Sequence, residues 1–215
     1  MTYKKSQERK QQILDCAKRL FARKGYQATQ IADICEELHI ARGTVYQYFK
    51  HKEDIFHTLI KEYFDDISVA LESTGLDRDK LAKAGAPPLD VLKATLVENT
   101  HAFLRHMYGD RDIGRIMLIE AYNTQVAGIS DILRDFFDAR KQRAVENLRM
   151  GMAIGVLRKI DPELIASAML GSGTRVVLDF IIEDKIKSED DLFKIAEELV
   201  SFQLQGVLSD AERVT

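Results

Sequence analysis

The chain has 215 residues, 46% of them apolar and 30% charged, with three prolines. That suffices for a buried core in one or two mainly helical domains. Two cysteines, Cys16 and Cys35, form no disulfide framework, and no stretch approaches the ~20 apolar residues that span a bilayer. Met1 to Lys10 is polar and basic with no apolar run behind it, so no secretory signal is read and the cytoplasm is expected. The formal net charge of −3 is unevenly spread. Residues 1–52 hold eleven Lys/Arg against five Asp/Glu, a net of +6, which leaves −9 for the rest. A basic segment on an acidic body is the electrostatic footprint of nucleic-acid binding at one end.

In chain order, residues 1–6 read as a basic arm. Ile13, Cys16, Ala17, Leu20 and Phe21 then make the apolar stripe of a helix from Ser6 to Lys24, closed by Gly25. Both cysteines fall on apolar helix faces and are expected to be buried. Thr29 is the expected N-cap of a second helix, in which Ile31, Ile34, Cys35 and Leu38 recur at three- and four-residue steps. His39-Ile40-Ala41 fits a turn. In the short helix that follows, Val45 and Phe49 face inward, leaving Arg42, Gly43, Thr44, Tyr46, Gln47 and Tyr48 outside. A short helix with a small, polar and aromatic outer face suits a DNA major groove.

Gly25-Tyr26, Thr29, Ile34, the run Ile40 to Tyr46, Tyr48-Phe49 and Lys52-Glu53 make the first 60 residues resemble the tetracycline-repressor-like (TetR) family of transcriptional regulators. His39 departs from the glycine usual in that turn, and Ala41 from a frequent serine cap. The resemblance implies a homodimer on a palindromic operator. Base-edge contact is expected from Arg42 (guanine or a neighbouring phosphate), Thr44, Tyr46 and Gln47, and close backbone approach at Gly43. Phosphate contact is expected from Thr29, Tyr48, Lys52 and His51.

Beyond residue 52 a long helix carries Phe56, Leu59, Ile60, Tyr63, Phe64 and Ile67 inward. Residues 73–88, with Gly75, Gly85, Pro87 and Pro88, read as a loop. Helical segments follow at about 88–108, 111–124, 128–152, 161–184 and 188–208. Their breaks are Gly109-Asp110, Gly128, Gly155 and Asp161-Pro162. The fold class read from this pattern is all-α with about nine helices: a helix-turn-helix DNA-binding domain over 1–52 and a helical effector-binding and dimerisation domain over 53–215. The 161–184 segment is apolar all round and must be buried on all sides. With the last helix it is expected to build a four-helix dimer interface using Met169, Gly173, Val176, Val177, Phe180, Leu199 and Phe202.

The resemblance also implies an effector pocket among the middle helices. Its candidate lining is Phe103, His106, Met107, Tyr108, Met117, Tyr122, Asn123, Phe136 and Phe137, suited to a largely apolar ligand. No catalytic residue, metal site or cofactor is expected: Glu98 and His101 are half of a di-metal carboxylate motif whose second copy is absent. The rival reading is a helical ligand-binding or scaffold protein without specific DNA binding.

Overall fold

The computed structural model describes residues 2–72, 89–120, 126, 128–186 and 188–208. Among the described residues there are nine helices and no strand, only one antiparallel bridge between Leu157 and Leu208. They are α1 (Thr2–Lys24), α2 (Ile31–Leu38), α3 (Arg42–Tyr46), α4 (Lys52–Glu72), α5 (Leu89–Gly109), α6 (Arg111–Arg115, widening into a π turn over Ile116–Glu120), α7 (Ile129–Ala153), α8 (Pro162–Val176, widening likewise over Val177–Ile182) and α9 (Asp190–Gln205). The expected loop at 73–88 lies outside the described residues.

The chain forms two compact units, Met1–Asp66 with Asp110–Arg134 and Ile67–Gly109 with Asp135–Thr215. The first unit therefore takes in most of α4 as well as α6. Its core is the expected α1 stripe, with Ile13, Cys16, Ala17 and Phe21 all at zero exposure. Burial pushes the Cys16 thiol up to about 11, so it stays protonated and inert. Phe21, Tyr26 and Phe56 pack ring to ring at 5.4, 5.6 and 4.4 Å, which ties α1, the turn after it and α4 together.

Helix ends follow local chemistry. Gly25 sits at φ 84° and donates to the Phe21 carbonyl at 3.0 Å, the αL closure that only glycine takes without strain. His39 takes the same conformation at φ 52°, where a side chain costs about 1–2 kcal/mol that the expected glycine would not. The Asp110 carboxylate caps α6 through the Ile113 N–H and also pairs with Lys18 on α1. Asp161 caps α8 through the N–H groups of Glu163 and Leu164 at 2.9 and 3.2 Å, with Pro162 at the first helical position. Two expectations shift. Helix α1 runs back to Thr2 instead of leaving a free arm, and α2 starts after Gln30, one residue past Thr29.

In the second unit α9 packs along α5, as does the π-helical end of α8. Gln203 on α9 donates to the Met169 carbonyl and the Ser172 hydroxyl on α8 at 3.2 and 2.9 Å. Two sequence readings of α8 are corrected here. Pro162–Ile182 has a mean hydropathy of 1.5 over a window long enough to cross a membrane, a span hidden in the sequence by Arg175 and Asp179. Those two charges pair with each other at 2.6 Å. The helix is also not buried on all sides within its own chain: only 17% of that window is covered, and Leu164 is 65% exposed.

Candidate nucleic-acid interface

Helix α3 stands on two fully or nearly buried residues, Val45 and Phe49. Its outer face carries Arg42, Gly43, Tyr46 and Gln47, all exposed, flanked by half-exposed Thr44 and Tyr48. Tyr46, 52% exposed, is a large aromatic that turns about half its surface to water. A Cβ placed on Gly43 would meet nothing within 4 Å, so the space above this backbone is open. Ala41 is the N-cap of α3 and offers no side-chain acceptor, which leaves the first N–H groups of α3 without a side-chain cap.

Thr29 and Lys52 are placed otherwise than the sequence suggested. Thr29 has zero exposure, and its hydroxyl donates to the Gly25 carbonyl at 2.8 Å; it locks the α1–α2 turn and shows no face to a phosphate. The Lys52 ammonium donates to the carbonyls of Tyr26 and Thr29 at 2.7 and 2.9 Å and lies 4.1 Å from the Tyr26 ring. Partial burial holds its pKa below the usual lysine value. Lys52 is a brace for the loop ahead of α2. Lys52→Ala should therefore lower stability by about 1–3 kcal/mol, the cost of orphaned carbonyls. Duplex affinity measured well below the melting temperature should stay unchanged; a weakened affinity there would return Lys52 to the phosphate-contacting set.

His51 is exposed, and its Nδ1 accepts from the Asp54 N–H at 3.3 Å, capping α4. Lys50, not singled out in the sequence, is exposed beside it with no ion pair among the described residues. Its signal was its place between the α3 turn and α4. Most other cations of the segment are taken up internally. Arg19 and Arg23 reach Glu37 at 3.6 and 3.2 Å, Lys24 reaches Asp33 at 3.2 Å, and Lys10 reaches Glu62 at 3.5 Å. The Gln30 N–H, then Lys24, hold the Asp33 carboxyl below its ordinary pKa.

The effector candidates divide between the units. Met117 in the first and Met107 in the second are core, at 2% and 0% exposure. Phe103, His106, Tyr108, Phe136 and Phe137 are part-exposed in the second unit, and Tyr122 and Asn123 lie outside the described residues. Phe136 and Phe137 meet edge to face at 5.4 Å, and Phe103 and Phe136 share Arg140 between them. Of the dimer candidates, Phe180 and Phe202 are 43% and 69% exposed, while Met169, Gly173, Val176 and Leu199 are part-exposed. Val177 has zero exposure and belongs to the core of its own unit, three α-helical turns after buried Ala166 on the same face. His101 lies edge-on to Phe193 at 5.5 Å, and no three metal-ligating side chains converge among the described residues.

The family model described as bacterial regulatory proteins, tetR family, matches residues 13–59, which contain α2, α3 and the start of α4. The fatty acid metabolism regulator protein of Bacillus subtilis (strain 168) is 25% identical over 199 residues, spanning 91% of this chain and 94% of its own. Among solved structures, the ketosteroid transcriptional regulator KstR2 of Mycobacterium tuberculosis superposes with a TM-score of 0.73 at 18% identity, over 94% of this chain and 96% of that one. The transcriptional regulator FadR from Bacillus subtilis in complex with stearoyl-CoA does so with a TM-score of 0.66 at 21% identity, over 91% and 98%. Residues 13–59 thus carry the helix-turn-helix of the TetR family of bacterial regulatory proteins, within an all-α fold shared end to end with solved transcriptional regulators.

Proposed function

We propose that the chain acts in the cytoplasm as a homodimeric repressor that reads a palindromic operator and is released by a small, largely apolar effector. The observation that carries the reading is α3: an outer face of Arg42, Gly43, Tyr46 and Gln47 in water on a footing of buried Val45 and Phe49. Arg42, Thr44, Tyr46 and Gln47 take the base edges, and Tyr48, Lys50 and His51 the phosphates. Residues 1–52 form the reading head and 53–215 the effector-binding and pairing body, with no catalytic role. The pairing surface is the uncovered apolar face of α8 and α9, where Leu164, Phe180 and Phe202 stand in water and the backbone at Gly173 is open.

The names of two relatives, a fatty acid metabolism regulator and a FadR bound to stearoyl-CoA, support an acyl chain as the effector class. Such a ligand releases DNA only by favouring one separation of the two heads over another. The test is selection of bound duplexes from a random pool by the purified protein at near-physiological salt. Enrichment of a palindrome, lost on adding the effector, is the expected result. Retention with no enriched sequence would sink the operator reading in favour of a helical scaffold.

A further inference from the structure

Helix α7 carries one cation that the fold does not use. Arg134 pairs with Asp131 at 2.7 Å, and Lys141 and Arg149 both reach Glu163, at 3.4 and 3.5 Å. Arg140 makes no ion pair or hydrogen bond among the described residues. It is part-buried, with its guanidinium carbon 5.2 Å from the Phe103 ring centre on α5 and 5.6 Å from that of Phe136, one turn back on α7. The carboxylates of the two helices, Asp90 and Glu98 on α5 and Asp131, Asp135, Asp138 and Glu146 on α7, are all exposed. Burial, then neighbouring Arg143, lowers the Arg140 pKa to about 10, so the group is still charged at neutral pH. A desolvated cation without a counter-charge is costly, and a bound anion would offset that cost. Two ring faces hold the guanidinium without consuming its planar fork of N–H donors, the geometry that takes a carboxylate or phosphate through two parallel bonds.

We propose that Arg140, held between Phe103 and Phe136, binds the anionic head of the effector, which makes the ligand an apolar chain ending in a carboxylate or phosphate. This rests on the effector reading above and narrows it from apolar to amphiphilic and anionic. The test uses full-length protein and calorimetric titration with palmitate, palmitoyl-CoA and the uncharged hexadecanol. Arg140→Gln should weaken the bound anion by about 10- to 100-fold while hexadecanol changes by less than about twofold. Loss with palmitate assigns a carboxylate, and loss confined to palmitoyl-CoA assigns a phosphate. Arg140→Lys, which keeps the charge without the fork, should lie between wild type and Arg140→Gln.

Ligand-free Arg140→Gln should melt no lower than wild type, since an uncompensated charge is removed. A much lower melting temperature, equal weakening of all three probes, or no weakening of either anion would overturn the assignment. If palmitate or palmitoyl-CoA binds Arg140→Gln as tightly as wild type and releases a selected operator from both alike, the regulator reading survives and only Arg140 loses its role. If none of the three probes binds wild type, both fall.

Discussion

Phe202→Glu is expected to leave the subunit folded and to abolish its pairing. Phe202 is 69% exposed, so the carboxylate enters water in the isolated chain and disturbs no core contact. In a twofold interface the same residue occurs on both sides, and each substitution counts twice. Removing a central aromatic costs about 2–4 kcal/mol per copy, so the pair loses about 4–8 kcal/mol and the dissociation constant rises by roughly 10³- to 10⁵-fold. Operator affinity should fall with it, because two heads bind cooperatively only while they are joined. Sedimentation at micromolar concentration, beside a melting curve, reads both effects. A dimer of undiminished mass would remove α9 from the interface. The same change at Val177 should instead unfold the protein, since that side chain has zero exposure.

Phe56→Ala should be the costliest change in the reading head. The ring is wholly buried and touches both Phe21 and Tyr26. Truncating a buried Phe costs about 3–5 kcal/mol, through lost transfer energy and the cavity left behind. Against a typical domain stability of about 5–15 kcal/mol, that is a large share. A fall in melting temperature of about 10 °C is expected for a chain of this length. Duplex binding should disappear over the same temperature range, because α3 is positioned by the bundle that Phe56 closes. A shift of only a degree or two would mean that the bundle repacks around the gap.

Much of this architecture could be read from residue order because its punctuation is local. Gly25, Gly128, Gly155 and Asp161-Pro162 each end or start a helix through the backbone conformation of one or two residues. The apolar steps of α1 and the Val45/Phe49 pair followed from helical period alone. The misses share a different origin. Thr29 and Lys52 have side chains able to turn either way, and the carbonyls that capture them come from a loop more than twenty residues before Lys52. Arg140 acquires its meaning from Phe103, thirty-seven positions away in sequence. The widened turns of α6 and α8 follow no residue pattern that a 3.6-residue period can express, and Val177 could not be told from its neighbours on a helix with almost no polar face. The exposure of α8 was hidden for a related reason: an all-apolar helix looks the same in sequence whether its cover is its own chain or a second one.

The internal ion pairs of α1 bear on how the regulator would respond to its surroundings. Every lysine or arginine committed to Glu37, Asp33, Asp110 or Glu62 is one that displaces no counterion from DNA. With Lys50, and with Arg42 where it takes the phosphate beside its guanine, as the unpaired cations around α3, a head of the proposed dimer would neutralise two phosphates and the dimer four. At about 0.9 per phosphate, affinity then falls with roughly the fourth power of ionic strength. Between 50 and 200 mM salt that is a loss of about 10², where a protein with six to ten phosphate contacts loses 10³ to 10⁵. Occupancy of the operator would be comparatively indifferent to osmotic swings, leaving the ligand as the signal that empties it.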